Sequence, residues 1–172
     1  MKKSHLLAVL TLGASFAQYA AAQAPAAIEK ADANRLIAIA QANIAEVEAG
    51  KMAVEKSTNA SVKQFAQSMI DDHGKGLDET KKVAAAKNVT LPTEPDAAHK
   101  KMAADLKKLS GAAFDKEYVG KAGVADHAKV HATLKNDIAN AKDADVKALA
   151  AKLEPIVAHH GEMAKTLNAS IK

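Results

Sequence analysis

Four histidines and one glutamate mark where this chain could do chemistry. The stretch GVADHAKVH (123–131) sets His127 and His131 four residues apart, one helical turn. MIDDHGKG (69–76) carries His73, and VAHHGEM (157–163) carries His160. Glu46 lies in the earlier stretch AEVEAGKM (45–52). Neutral imidazole is a ligand for Zn, Cu, Fe or Ni, and a carboxylate beside it supplies charge. Met69 is four residues before His73 and Met163 three after His160. Thioethers next to imidazoles would favour copper, although methionine is also an ordinary filler of irregular cores. Asp72 precedes His73 and Asp126 precedes His127. Neighbours on a helix point about 100° apart, so each aspartate is expected to serve a histidine of another helix, or solvent.

These residues need elements to bring them together, and the sequence supplies helices. Alanine, lysine and acidic residues dominate, a composition that favours helix over strand. Breakers and periodicity predict long helices over about 32–57, 61–87, 112–141 and 145–170, with a short one over about 97–109. Ser61 and Gln64 have capping-box spacing, Asp96 is placed to cap the short helix, and Pro155 should bend the last one. Apolar seams step by threes and fours: Leu36, Ile39, Asn43, Glu46 and Ala53; Val62, Phe65, Met69, His73 and Leu77; Val124, His127, His131, Leu134 and Ile138; Val146, Leu149, Leu153, Ile156, His160, Met163 and Leu167. This is the rhythm of near-parallel helices packed knobs-into-holes. Gly50, Gly120 and Gly123 are expected to allow close helix contact, His159 to flank its seam, and His99 to sit on the exposed face of the short helix.

The candidate residues also agree in height. Glu46 lies 13 residues before Asn59 in the first turn, and His73 lies 14 after it. At about 1.5 Å per residue both are roughly 20 Å from that turn. His127 is 15 residues before Lys142 in the last turn, and His160 is 18 after it. All four should face inward near the middle of a bundle, with His131 in reserve as the partner of His127.

Composition excludes several function classes. There is no cysteine, so thiol and disulfide chemistry are absent. No glycine-rich phosphate loop is present, and the serines lack a base in sequence. The start of the chain reads as an export signal: Lys2 and Lys3, an apolar run over 6–16, and Ala20-Ala21-Ala22 before the expected cut. Residues 1–22 are then a signal peptide, 23–172 the bundle domain, and the destination a bacterial periplasm. Removing two lysines from 24 basic and 20 acidic residues leaves 22 − 20, or +2. That charge is scattered and the mature chain keeps only Phe65, Phe114 and Tyr118 as aromatics, so nucleic acid is not an expected partner. After signal cleavage no transmembrane segment is expected. An envelope protein or a second copy of the chain remains open as a partner.

The stretches EVEAGKMA (46–53), VKQFAQSMIDDH (62–73), LSGAAFDKEY (109–118), VADH (124–127) and LEPIVAHH (153–160) follow one another in order. Together they resemble the domain-of-unknown-function family 4142, exported bacterial proteins classed as ferritin-like. The resemblance spans nearly all of the mature chain. It implies an all-α, ferritin-like four-helix bundle with the short extra helix in the long connection, and it implies no activity. Ferritin-like di-metal sites use a glutamate from each of two helices and Glu-x-x-His from each of the other two. Here Ile70, Val124 and Val157 stand three before His73, His127 and His160. Bridging carboxylates are missing, which argues against an iron or copper redox enzyme. The expected function is that of a small exported binding or envelope-stress protein holding one Cu, Zn or Fe ion through Glu46, His73, His127 and His160. The alternative is a metal-free structural or interaction module whose core histidines form a polar network.

Overall fold

A computed structural model describes residues 28–171, so the expected signal peptide lies outside the described residues. The described chain is all-α: α1 (Lys30–Lys56), α2 (Ala60–Ala86), α3 (Ala97–Lys107), α4 (Gly111–Glu117), a π-helical segment (Tyr118–Asp126), α5 (His127–Asn140) and α6 (Ala144–Ser170). The π-helical segment joins α4 to α5 in one continuous rod. No described helix is long and apolar enough to cross a membrane.

Side-chain caps set several helix starts. Asn59, not Ser61, caps α2 and accepts from the backbone N–H groups of Ser61 and Val62 at 2.9 and 3.3 Å. Asp96 caps α3 as expected, and Asp143 caps α6, which starts one residue earlier than the pattern suggested. The end of α2 closes on Asn88 at φ 55°, where Val89 N–H donates to Ala84 O at 2.8 Å. Asparagine tolerates this left-handed position, and the bond satisfies a terminal carbonyl. The α6 helix continues through Pro155 without a break in its assignment.

Polar contacts fix the direction of each rod. The Asp32 carboxylate, near the start of α1, accepts from the backbone N–H groups of Lys142 and Asp143 at 2.9 and 2.7 Å. Lys87, at the end of α2, pairs with Asp143 and Asp145. At the opposite end Lys56 donates to the carbonyls of Lys107 and Leu109. Thus α1 runs away from the α5–α6 turn and α2 returns to it. The α3 connection crosses back, α4 through α5 descends parallel to α2, and α6 ascends. One long crossover between two antiparallel pairs is consistent with a ferritin-like bundle.

The core is split. One apolar cluster contains Phe65, Met69, Leu106, Phe114, Tyr118 and Leu167. The other contains Leu36, Ile39, Leu134, Val146, Leu149 and Leu153. Asn43, Glu46, His73, His127 and His160 are all buried yet belong to neither apolar cluster. Close approach depends on small residues at two of the expected glycines: a Cβ on Gly50 would lie 2.9 Å from Ile70, and one on Gly123 would lie 2.9 Å from the Ala164 Cβ. Gly120 is not such a contact, since its nearest neighbour would be 3.8 Å away.

Candidate metal centre

His73, His127 and His160 converge. Each offers a ring nitrogen within 4.8 Å of the others, and all three are buried. Their ring centroids are 5.2 to 5.6 Å apart. They come from α2, α5 and α6, one histidine per rod.

In each ring one nitrogen is held by an acceptor and the other is left for the centre. Asn43 donates its amide N–H to Ile39 O at 2.8 Å, which turns its carbonyl oxygen toward His73 Nδ1 at 3.0 Å. His73 Nδ1 therefore carries the proton, and in the neutral ring Nε2 carries a lone pair. His127 Nδ1 donates to the Ala122 carbonyl at 2.9 Å, which likewise leaves Nε2 as the donor atom for a ligand. His160 Nε2 donates to the Asp72 carboxylate at 3.2 Å, and its Nδ1 is buried without a hydrogen-bond partner. Holding the second nitrogen on a carbonyl or carboxylate is the usual way a protein orients a metal-binding imidazole.

The electrostatics favour the neutral rings of His73 and His160. Burial, then the neighbouring His127 and His160, pushes the His73 imidazolium well below the ordinary histidine range. Burial also lowers His160, outweighing the opposing hydrogen bond to Asp72. Yet His73 Nε2 and His127 Nε2 are only 3.3 Å apart. Two lone pairs at that distance repel unless a cation or a proton lies between them. A tetrahedral ion bound at about 2.0–2.1 Å to each nitrogen would hold the pair roughly 3.3–3.4 Å apart.

The π-helical segment is what aims His127. One file of buried residues on the α4–α5 rod steps Phe114, Tyr118, Ala122 and His127, by four, four and five, beside the buried Asp115, Val119 and Gly123. A uniform α-helix would carry the last of these off the seam. The wider turn restores the alignment and puts the Ala122 carbonyl under the His127 ring, five residues away. π-Helical turns inside α-helices are frequent at functional sites. The sequence reading missed this segment and placed Val124 on the seam, although Val124 is only partly buried. The step of five, with Gly123 inside it, was the available signal.

The remaining candidates are placed as follows. Glu46 is buried 3.6 Å from His127 Nδ1, the side of the ring turned away from Nε2, and neither of its oxygens has a hydrogen-bond partner. Burial pushes its carboxyl up to about 7, against the lowering effect of His127. His131 is not brought to the centre. It lies partly exposed on the flank of α5 and pairs with Glu154 of α6 at 2.6 Å. Met69 is fully buried in the first apolar cluster and Met163 packs against it, as fillers do. The aspartates serve other helices as expected, Asp72 for His160 and Asp126 for His99. His99 is a correction to the sequence reading. It is buried, bridging Asp96 and Asp126 at 2.8 and 3.0 Å, and the hydrogen bond to Asp126 is the main influence raising it to about 9. It thereby ties α3 to the π-helical segment. Asn43, absent from the set of expected ligands, proves to be the anchor of His73. It fits because Gly76 faces it: a Cβ there would lie 2.8 Å from the Asn43 carbonyl oxygen.

The family model described as a domain of unknown function, DUF4142, matches residues 17–167. No curated protein and no solved structure matches the chain.

Proposed function

The chain belongs to the DUF4142 family, and within that frame we propose that it is a metal-binding protein holding one divalent transition ion through His73, His127 and His160. The observation that carries this reading is the orientation of the three rings. Each has one nitrogen tied to Asn43, Ala122 or Asp72 and the other free for the shared centre. Three neutral nitrogens, two of them at the spacing a tetrahedral ion would set, suit zinc, with copper and iron as competitors. The thioethers lend no weight to copper, because both methionines pack with the apolar cluster. Bridging carboxylates are not part of the converging group, so the reading is binding and not di-iron turnover.

The test is elemental analysis of untagged protein after Zn, Cu and Fe are offered separately. We expect close to one ion per chain, lost in a His73→Ala, His127→Ala double variant whose helicity by circular dichroism is retained. No retained ion under any condition would defeat the reading.

A second reading has its own support. A single proton shared between His73 Nε2 and His127 Nε2 would also relieve their contact, with the Glu46 carboxylate 3.6 Å from His127 to balance the charge. The histidines would then be a polar layer that fixes helix register. Metal-free protein showing a strongly deshielded proton bridging two imidazole nitrogens in an NMR spectrum, together with failure to bind any ion, would favour it.

We also propose that the protein is exported. Lys2, Lys3, the apolar run over 6–16 and Ala20-Ala21-Ala22 support this. The check is the N-terminal residue of protein recovered from the cell envelope, expected to be Gln23.

A further inference from the structure

We infer that the histidine centre is an exchangeable site whose fourth position takes a small monodentate anion from solution, of the size of hydroxide or azide. This inference rests on the metal-binding reading above. The protein contributes three nitrogens and no fourth donor. The Glu46 carboxylate lies beside His127 Nδ1, across the ring from Nε2. One Asp72 oxygen accepts from His160 and the other from Lys75. Sites closed by four protein ligands are structural, whereas three protein donors leave the last position to water or substrate.

The space next to the histidines sets the size of that ligand. A cavity of about 30 Å³ lies against His73 and His127, with Asn43, Glu46 and Asp72 on its polar side and Val130, Leu134, Leu153 and Val157 on its apolar side. A water needs about 10–15 Å³ measured this way, so two or three heavy atoms fit and a five-membered ring does not. Charge sets its sign. Three neutral imidazoles leave a divalent ion its full charge, and the largely apolar lining strengthens its attraction for an anion against the opposing Glu46 and Asp72 carboxylates. Val130 is only partly buried and Ile156 is 36 % exposed, so these two lining residues stand at the rim.

The experiment uses the full chain loaded with Co(II), whose visible absorption reports coordination number and ligand exchange. Azide should shift the cobalt bands of the wild type, and imidazole should not. Val130→Phe, which fills the cavity from its rim, should bind cobalt at the same stoichiometry and lose the azide response by at least tenfold in apparent affinity. Val130→Ala, which widens the cavity, should admit imidazole. Cobalt bound with bands indifferent to azide would overturn this inference alone, since the chain would then be closing the site itself. An unchanged azide response in Val130→Phe would overturn the assignment of the cavity as the ligand's place. Failure of the wild type to take up cobalt would overturn the metal-binding reading and this inference with it.

Discussion

Replacing Glu46 with glutamine should make the metal-free protein more stable at neutral pH, the opposite of what removing a core residue usually does. Glu46 is 3 % exposed, both its oxygens lack partners, and burial raises its carboxyl from 4.5 to about 7. The unfolded chain loses this proton near 4.5 while the folded chain holds it to about 7. Stability from the group is therefore complete below pH 4.5 and is lost as pH rises through 7. The difference is 7 − 4.5, or 2.5 pH units, which at about 1.36 kcal/mol per unit is roughly 3 kcal/mol. Glutamine has the shape of the protonated acid and cannot ionise. Glu46→Gln should thus match the wild type near pH 4 and exceed it by about 3 kcal/mol at pH 8. The assay is urea unfolding followed by circular dichroism across that range, with chelator present. His73 and His160 oppose this slope in both proteins. Their lowered values mean stability present above about 6.5 and lost as pH falls below it. Taking the difference between variant and wild type removes that shared contribution. In the variant alone, the acid-side loss should emerge undiluted. A difference that does not change with pH, or a variant less stable than wild type at pH 8, would refute the assignment of an unpaired, desolvated carboxyl.

Three further outcomes follow from contacts already described. Asn43→Ala frees His73 Nδ1 and should weaken metal binding by about 10–100-fold without removing the site, as read by competition with a chromophoric chelator. His131→Ala should leave metal stoichiometry unchanged and cost less than about 1 kcal/mol in urea unfolding, because its pair with Glu154 is partly exposed. Asp32→Ala strands the backbone N–H groups of Lys142 and Asp143, leaves the Arg35 guanidinium paired with Asp137 alone, and should cost about 3 kcal/mol. If this variant is as stable as wild type, the clamp between the start of α1 and the α5–α6 turn is not what holds that end together.

The sequence by itself determined the class of the fold and the height of its polar layer. Seams stepping by three and four belong to the helix period, and residue counts from each turn translate directly into distance along an axis. That is why the sequence places His73, His127, His160 and Glu46 at one level, and why the interhelical roles of Asp72 and Asp126 were legible from the 100° between neighbours. Rotation about each axis is a different matter. Glu46 and His131 fell outside the converging set because a residue one step from the centre of a seam can face either the axis or the adjacent helix. Packing against α6 decides this, and it gives His131 to Glu154. The π-helical turn puts His127 on a buried face together with Phe114, Tyr118 and Ala122, a rotation the seam pattern did not contain. The same holds for Asn43, whose carbonyl becomes an anchor only because Gly76 lets α2 approach it. Tertiary structure also decided which nitrogen of each ring is left for a ligand. That choice is made by acceptors 5, 30 and 88 residues away in sequence, a relation no local pattern records.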